Sequence, residues 1–516
     1  MTAATLLPTR SIDLTTCVNE PIVGTVLHRG TQRSIVTKRP DGTYGTKRPR
    51  TREESERVSY TEQGRNLLAS KAFWAVALTL PGNSRQLGKK GAPSHYPAWV
   101  YLFLVAMTSV YSSQNATITH ICTDKYLWRM YRKYAHKHLP AGFDQARKQP
   151  PKRHHLTYFL KLWKSDEYAD IRREAMAAFH RAALGLAEEL GHLPTGQPLL
   201  YKRPCPSQWV SFDGTVYPGP TNNRPNNGHR TDPASGWHNK YGKEKTRVWG
   251  SKILFASLRS EDYHGRVIVG FTHILGPNDI TGIGDEGQAI VTVAKRISAA
   301  APGMRGVIVD GVLRDAHITA LSALNLHTIN RPAAARNPDR KVKGTNNSSR
   351  VEKRHKVTVH RHTRPNGRTC EHNIWAIGGQ LHEQVRSGTT GKPAWVPLTH
   401  HRVTSRPNRD GTWRHYIHAA LECRSHEVEF SVPLHHNPET GLQFKRGEYL
   451  RYYPPGTWQY GVLYGRRNDT ESLHRELKRD MPRLPGYGTC TQELFILGYV
   501  LRHNAVTAHL AKHPPD

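Results

Sequence analysis

The sequence predicts an α/β chain: a mixed sheet with flanking helices, interrupted by a β-rich insertion and preceded by a helical region. Three observations carry this. Between 201 and 331, β-branched runs come first as strands and then alternate with helical spacing, which fits a mixed sheet. GVIVDG (306–311) is apolar on both faces, as a central strand under helices must be. Between 332 and 460, helical spacing gives way to short strand-like runs separated by turns.

Taken in order, residues 1–60 read as a poorly ordered basic arm, with a near-repeat of TKRPDG (from Thr37) and TKRPRT (from Thr46). Such an arm suits contact with DNA. Residues 61–200 read as a helical DNA-binding region. Helical spacing covers 63–77, 96–111, 118–134 and 165–190, the last ending at Gly191. The third carries Lys125, Arg129, Arg132 and Lys133 after the polar SSQNAT turn, so a helix-turn-helix is expected there. In 201–331, strands are expected at 208–214, 248–258, 265–274, 306–311 and 327–330, with helices over 288–300 and 315–324. The insertion, 332–460, opens on a stretch to Arg364 crowded with Lys, Arg, His and Asn. NIWAIGG, AWVPLTHHRV, WRHYIHAAL and EVEFSVPL follow as strand-like runs. Its Trp375, Trp395, Trp413 and Trp458 read as core residues, with stacking on unpaired bases as the alternative. In 461–516 helices return, over 470–479 and 492–511.

Composition narrows the partners. The 516 residues carry a formal charge of +33. Such an excess opposes compaction unless a polyanion neutralises it, and nucleic acid is the expected one. A membrane surface ranks lower, because no basic amphipathic anchor or lipidation signal is evident. The longest apolar run, 97–107, is too short to span a bilayer. The N-terminus lacks a signal-peptide pattern. The six cysteines (17, 122, 205, 370, 423 and 490) include no CxxC pair, which argues against a zinc ribbon or disulfide framework and fits a reducing cytoplasm. HRH at His360–His362 and HH at His400–His401 are expected in basic loops of a chain with 31 histidines, and no metal is assigned to them.

The stretch YGRRNDTESLHRELK carries the chemistry. Tyr464, Arg467, Glu471 and Lys478 stand at offsets of 0, 3, 7 and 14. At about 100° per residue they fall near 0, 300, 340 and 320°, one narrow helical stripe. A carboxylate flanked by cations suits a group that holds a metal beside a phosphate. Two plainer readings compete: a solvated helix with an Arg467–Glu471 salt bridge, and a capping box from Asn468 to Glu471. Two strands are also expected to end in Asp-Gly, at Asp213 and Asp310. A lone carboxylate closing an apolar strand needs a cation or hydrogen-bond partner. Three carboxylates from two strands and a helix can hold two Mg²⁺ ions, with Mn²⁺ able to substitute. Such a pair stabilises the attacking and leaving oxygens of an in-line phosphoryl displacement.

The chain here resembles the DDE transposases of bacterial insertion sequences, in the branch with a Tyr-x2-Arg-x3-Glu-x6-Lys signature. Tyr464, Arg467, Glu471 and Lys478 match that spacing without a gap. The resemblance covers about 200–490. It implies an RNase H-like catalytic domain, with Asp213 on the first strand, Asp310 on the fourth, Glu471 on a later helix and a β-rich insertion between the second Asp and the Glu. It implies that Asp213, Asp310 and Glu471 bind the catalytic metals and that Tyr464, Arg467 and Lys478 contact phosphates. It also implies cleavage at an element's terminal inverted repeats, transfer of the freed 3′-OH to target DNA, and a homodimer on double-stranded DNA in the cytoplasm. Asp315 competes with Asp310 for the second acid, although its place suits a helix cap. The alternatives are an RNase H-like nuclease or resolvase that cuts without joining, and an inactive DNA-binding relative. A dinucleotide reading of Gly282, Gly284 and Gly287 is discounted, because Asp285 and Glu286 would meet the pyrophosphate.

Overall fold

A computed structural model describes residues 22–27, 33–38, 44–47, 58–81, 96–221, 232–239, 247–260, 265–274, 284–332, 354–389, 391–424, 426–434 and 446–513. Within the expected arm, β1 (Ile22–Leu27), β2 (Arg33–Lys38) and β3 (Tyr44–Lys47) form an antiparallel sheet. Ile22, Val23, Thr25, Ile35 and Val36 are residue types that suit strands, and the rest of the expected arm up to residue 57 lies outside the described residues.

The helical region holds α1 (Tyr60–Ala69), α2 (Lys71–Ala77), α3 (Ala98–Met107), α4 (Gln114–Thr117), α5 (Lys125–His138), α6 (Arg153–Lys164) and α7 (Ala169–Glu189). The single helix expected over 63–77 is two, because Ser70 adopts extended backbone between them. The break lets Leu67 and Leu68 on one side and Phe73 and Trp74 on the other all be buried. All ten residues of α3 are buried. The helix-turn-helix expectation is corrected as well. After α4 the chain passes through a π-helical turn (Ile118–Thr123), and Asp124 then caps α5 through the amides of Tyr126 and Leu127. The basic residues therefore ride on a separate helix rather than directly across a tight turn. Gly191 stops the α7 segment at φ +78°, as expected.

The central sheet contains β4 (Trp209–Tyr217), β5 (Gly236–Asn239), β6 (Arg247–Arg259), β7 (Arg266–Ile274), β8 (Gly306–Ile308) and β9 (His327–Ile329). Its order is β5-β6-β4-β8-β9, with β7 also paired to β6. The β4, β6 and β7 ladders are antiparallel, whereas β4, β8 and β9 run parallel. The parallel strands are joined through α8 (Glu286–Ala300) and α9 (Asp315–Ala323). Side chains alternate between two cores. Leu254, Ala256 and Leu258 face α8 and α9, while Ile253 and Phe255 face the helical region. Gly306 allows close approach, since a Cβ there would stand 2.4 Å from the His327 carbonyl oxygen.

The insertion is β-rich, as expected. One antiparallel sheet holds β10 (His355–Thr363), β11 (Thr369–Ile377), β12 (Gln380–Arg386) and β13 (Pro393–Pro397). A second holds β14 (His400–Pro407), β15 (Trp413–Cys423) and β16 (His426–Pro433). The run AWVPLTHHRV thus divides between the two sheets. Ile374, Ala376 and Leu381 share a core with Ile417, Ala419 and Val432. Trp375, Trp395, Trp413 and Trp458 are half-buried rather than core residues. Trp375 donates to Gln384 (3.0 Å), and the Arg354 guanidinium lies 3.8 Å over the Trp395 ring.

The last part comprises α10 (Arg446–Tyr449), α11 (Trp458–Tyr464), α12 (Arg467–Asp480) and α13 (Thr489–Lys512). Leu494, Phe495, Leu497 and Val500 of α13 join the core of the helical region, so the last helix packs with helices of that region around one core. No described helix is long and apolar enough to cross a membrane.

Candidate functional site

The two aspartates are brought side by side by the parallel ladder. Its last register pair is Ser211↔Ile308. Asp213 and Asp310 each lie two residues past that pair. The expectation that both strands end at Asp-Gly holds for neither in detail. β4 runs on through Gly214 to Tyr217, because β6 continues to pair with it, and β8 stops two residues before Asp310. Gly214 serves close approach, since a Cβ there would meet the Glu286 carboxylate at 2.2 Å.

Helix α12 is fastened over this edge by buried charge. Arg259 and Arg266 face each other across β6 and β7, and both bind Asp469. Arg266 also binds Glu476 (2.9 Å). Leu473 and Leu477 are buried beneath the helix, and Tyr217 donates to the Leu477 carbonyl (2.8 Å). Cations with a shared buried anion fix the rotation of α12, and with it the direction of Glu471.

The expected single stripe is broken. Tyr464 ends α11, and Arg467 opens α12 after Gly465 and Arg466. The capping box does not form either, since Arg466 is the N-cap and gives no side-chain cap. Across the break the side chains nevertheless converge. Tyr464 donates to Asp310 Oδ1 (3.1 Å). Arg467 reaches Asp310 Oδ2 (3.2 Å) and Glu471 Oε1 (3.0 Å). The plain i,i+4 salt bridge therefore exists, and the same guanidinium carries it to the second strand. Lys478 is exposed on α12, two turns beyond Glu471 on the same side. Asp315 lies elsewhere: its carboxylate accepts from the Gly447 amide (3.0 Å).

Residues not anticipated from sequence complete the site. Thr470 donates to Asp213 Oδ2 (3.4 Å), and His474 Nδ1 lies 3.6 Å from the same oxygen. Burial, then Lys478 and Arg266, lowers His474 to about 3, so it stands neutral beside the acid. Lys252 pairs with Glu286 (2.6 Å), placing a fourth carboxylate by Gly214. The Arg331 guanidinium lies 5.6 Å from the Tyr464 ring centre. Burial raises Asp213 to about 6; Arg467 opposes the shift, while Glu286 and Asp310 add to it. Burial, then Asp310, raises the Tyr464 phenol to about 12.

Three carboxylates line this edge, half-exposed at Asp310 and Glu471 and one-fifth exposed at Asp213. The acids do not draw together into a tight cluster of donor atoms, because Arg467 lies between two of them. Asp285 of the discounted dinucleotide pattern caps α8 through Gly287 N (2.8 Å) and meets His317 (3.1 Å); Gly282 lies outside the described residues. No protein-family model, curated protein or solved structure matches this chain.

Proposed function

We propose that this protein is a DDE-type DNA transposase, with an RNase H-like core, that cuts at element ends and transfers the freed 3′-OH to target DNA. The observation that carries the reading is the Arg467 bridge. A residue of the Tyr-Arg-Glu-Lys spacing joins Glu471 to Asp310, and Asp213 stands beside it at the equivalent place on the neighbouring strand. The strand arrangement adds support: in a six-stranded sheet β4 is central, β6 pairs antiparallel with it and with β5 and β7, and β8 and β9 run parallel to β4. Both acids lie two residues past the last pair of the β4–β8 parallel ladder, on the carboxyl side of its pairing, the side on which open α/β sheets bind ligands.

In this reading Asp213, Asp310 and Glu471 hold Mg²⁺ or Mn²⁺, which when bound supply charge stabilisation for an in-line phosphoryl displacement. Arg467 and Lys478 bind phosphate oxygens along the exposed side of α12, and Tyr464 fixes Asp310. Arg467 exchanges its carboxylate partners for the phosphate as DNA and cations enter. Neutral His474 and Thr470 orient Asp213 without contributing a competing positive charge. The partner is double-stranded DNA, the element's terminal inverted repeats and then the target, held by a homodimer.

The test uses purified protein, a labelled duplex carrying the DNA that flanks the gene, and Mg²⁺. Cleavage followed by joining to a second duplex is expected, and Glu471→Gln should abolish both while duplex binding persists. Cutting without joining would move the assignment to a nuclease, and equal cutting by the variant would remove Glu471 from the chemistry.

A further inference from the structure

The insertion carries a second constellation. His362, Cys370, His372 and Cys423 place one donor atom each within 4.8 Å of one another, the one such group among the described residues. Three come from a single hairpin. His362 on β10 and Cys370 on β11 are directly paired, and His372 lies two residues beyond Cys370, so all three project from one face. The fourth, Cys423, is the last residue of β15 in the facing sheet and is buried.

We propose that these four residues form a tetrahedral Zn²⁺ site that pins the two sheets of the insertion together. The distances are those such an ion needs. His362 Nε2 and His372 Nε2 stand 3.3 Å apart. Two nitrogens at about 2.0–2.1 Å from one tetrahedral zinc would be about 3.3–3.4 Å apart. His372 is oriented for this by Glu383, whose carboxylate accepts from Nδ1 at 2.6 Å and leaves the Nε2 lone pair facing the cluster. That carboxylate–histidine arrangement is the usual outer support of a zinc ligand. The His372 and Glu383 side chains are only 10% and 13% exposed. Arg364 directs Nε and Nη2 at Cys423 Sγ (3.3 and 3.2 Å), a cation beside a sulfur that must ionise to bind. Two soft thiolates with two imidazoles favour zinc over the hard cations proposed for Asp213, Asp310 and Glu471. Uptake is balanced: one Zn²⁺ enters, both thiols lose their protons to solvent, and a neutral centre results. With four protein ligands the site has no open position, which marks it as structural.

The experiment takes full-length protein without a histidine tag, purified under reductant without chelator, and measures bound metal by mass spectrometry. About one Zn²⁺ per chain is expected, falling at least fivefold in Cys423→Ser and in His372→Ala but unchanged in Cys205→Ser and Asp213→Asn. Cobalt titration of the metal-stripped wild type should give thiolate charge-transfer and tetrahedral d–d bands that zinc abolishes. This readout stands even where a ligand variant fails to fold, and histidines elsewhere in the chain cannot mimic the thiolate band. Absence of both zinc and those bands in metal-replete wild type would overturn the site. So would a Cys370–Cys423 disulfide found in the native protein.

Discussion

At the scale of single residues, Asp213 carries its charge at a cost in stability. Its carboxyl is raised to about 6, with burial the leading cause, from an ordinary 3.8. An acid raised on folding favours the native state below its unfolded value, and that contribution is lost as pH rises through the folded one. Above about pH 6 the native protein therefore holds an anion it would rather protonate. Asp213→Asn should stabilise the chelator-treated protein by about 1–3 kcal/mol at pH 7.5, and the gain should vanish below about pH 4. Urea unfolding across pH measures this; a gain that persists at pH 4 would mean packing rather than charge. Arg467 calls for a different test. Arg467→Lys keeps the charge and loses the fork that spans Asp310 and Glu471, so cleavage should fall on the order of 10²-fold with little change in duplex affinity. Equal loss of binding and cleavage would leave Arg467 a phosphate contact alone, with no part in ordering Asp310 and Glu471. Arg467 and Glu471 were legible because their spacing is local. Thr470 and His474 sit in the same stretch, but their role depends on which side of α12 meets β4, and tertiary contacts, the Arg259–Asp469–Arg266 group and buried Leu473 and Leu477, decide that.

At the scale of elements, that same buried group holds the key helix. Removing one partner of a buried charge network strands the others. Asp469→Ala should therefore cost about 3–5 kcal/mol in unfolding free energy, whereas Glu471→Gln, half-exposed, should change it by less than about 0.5 kcal/mol. A cost for Asp469→Ala below about 1 kcal/mol would show that apolar packing by Leu473 and Leu477 is enough to seat α12. The sequence patterns gave the strands and helices of the central sheet nearly in place, because alternation and apolar runs are one-dimensional signals. They failed where tertiary contact chooses. β4 extends past Asp213 because β6 offers it a partner, and the Tyr464–Arg467 stripe breaks because α11 and α12 pack separately. The four-residue cluster in the insertion was hidden for a related reason. Cys370-x-His372 is readable beside His360-x-His362, but Cys423 arrives from another sheet.

At the scale of the whole molecule, the charge of +33 is the property the fold must direct rather than merely carry. Part of it is consumed internally, as at Arg259 and Arg266. Part is laid on α5, where Lys125, Arg129, Lys133 and Lys137 are exposed at successive four-residue steps. Trp128, Tyr131 and Ala135 anchor the opposite side in the helical core. That core also contains α13 and the α12 residues Leu473 and Leu477, so α5 and the helix that carries Glu471 pack on one core, and in the proposed function the duplex lies along α5. Duplex binding should then weaken steeply with salt, since each neutralised phosphate contributes about −0.9 to the slope of log K against log salt. Replacing Lys125, Arg129 and Lys133 together by alanine should flatten that slope by up to about 2.7 while leaving the unfolding midpoint unchanged. Fluorescence anisotropy of a labelled duplex over a salt series reads both affinity and slope. An unaltered slope would take α5 off the DNA path and leave the basic segment before His355, with the N-terminal arm, as the places where the excess charge meets phosphate.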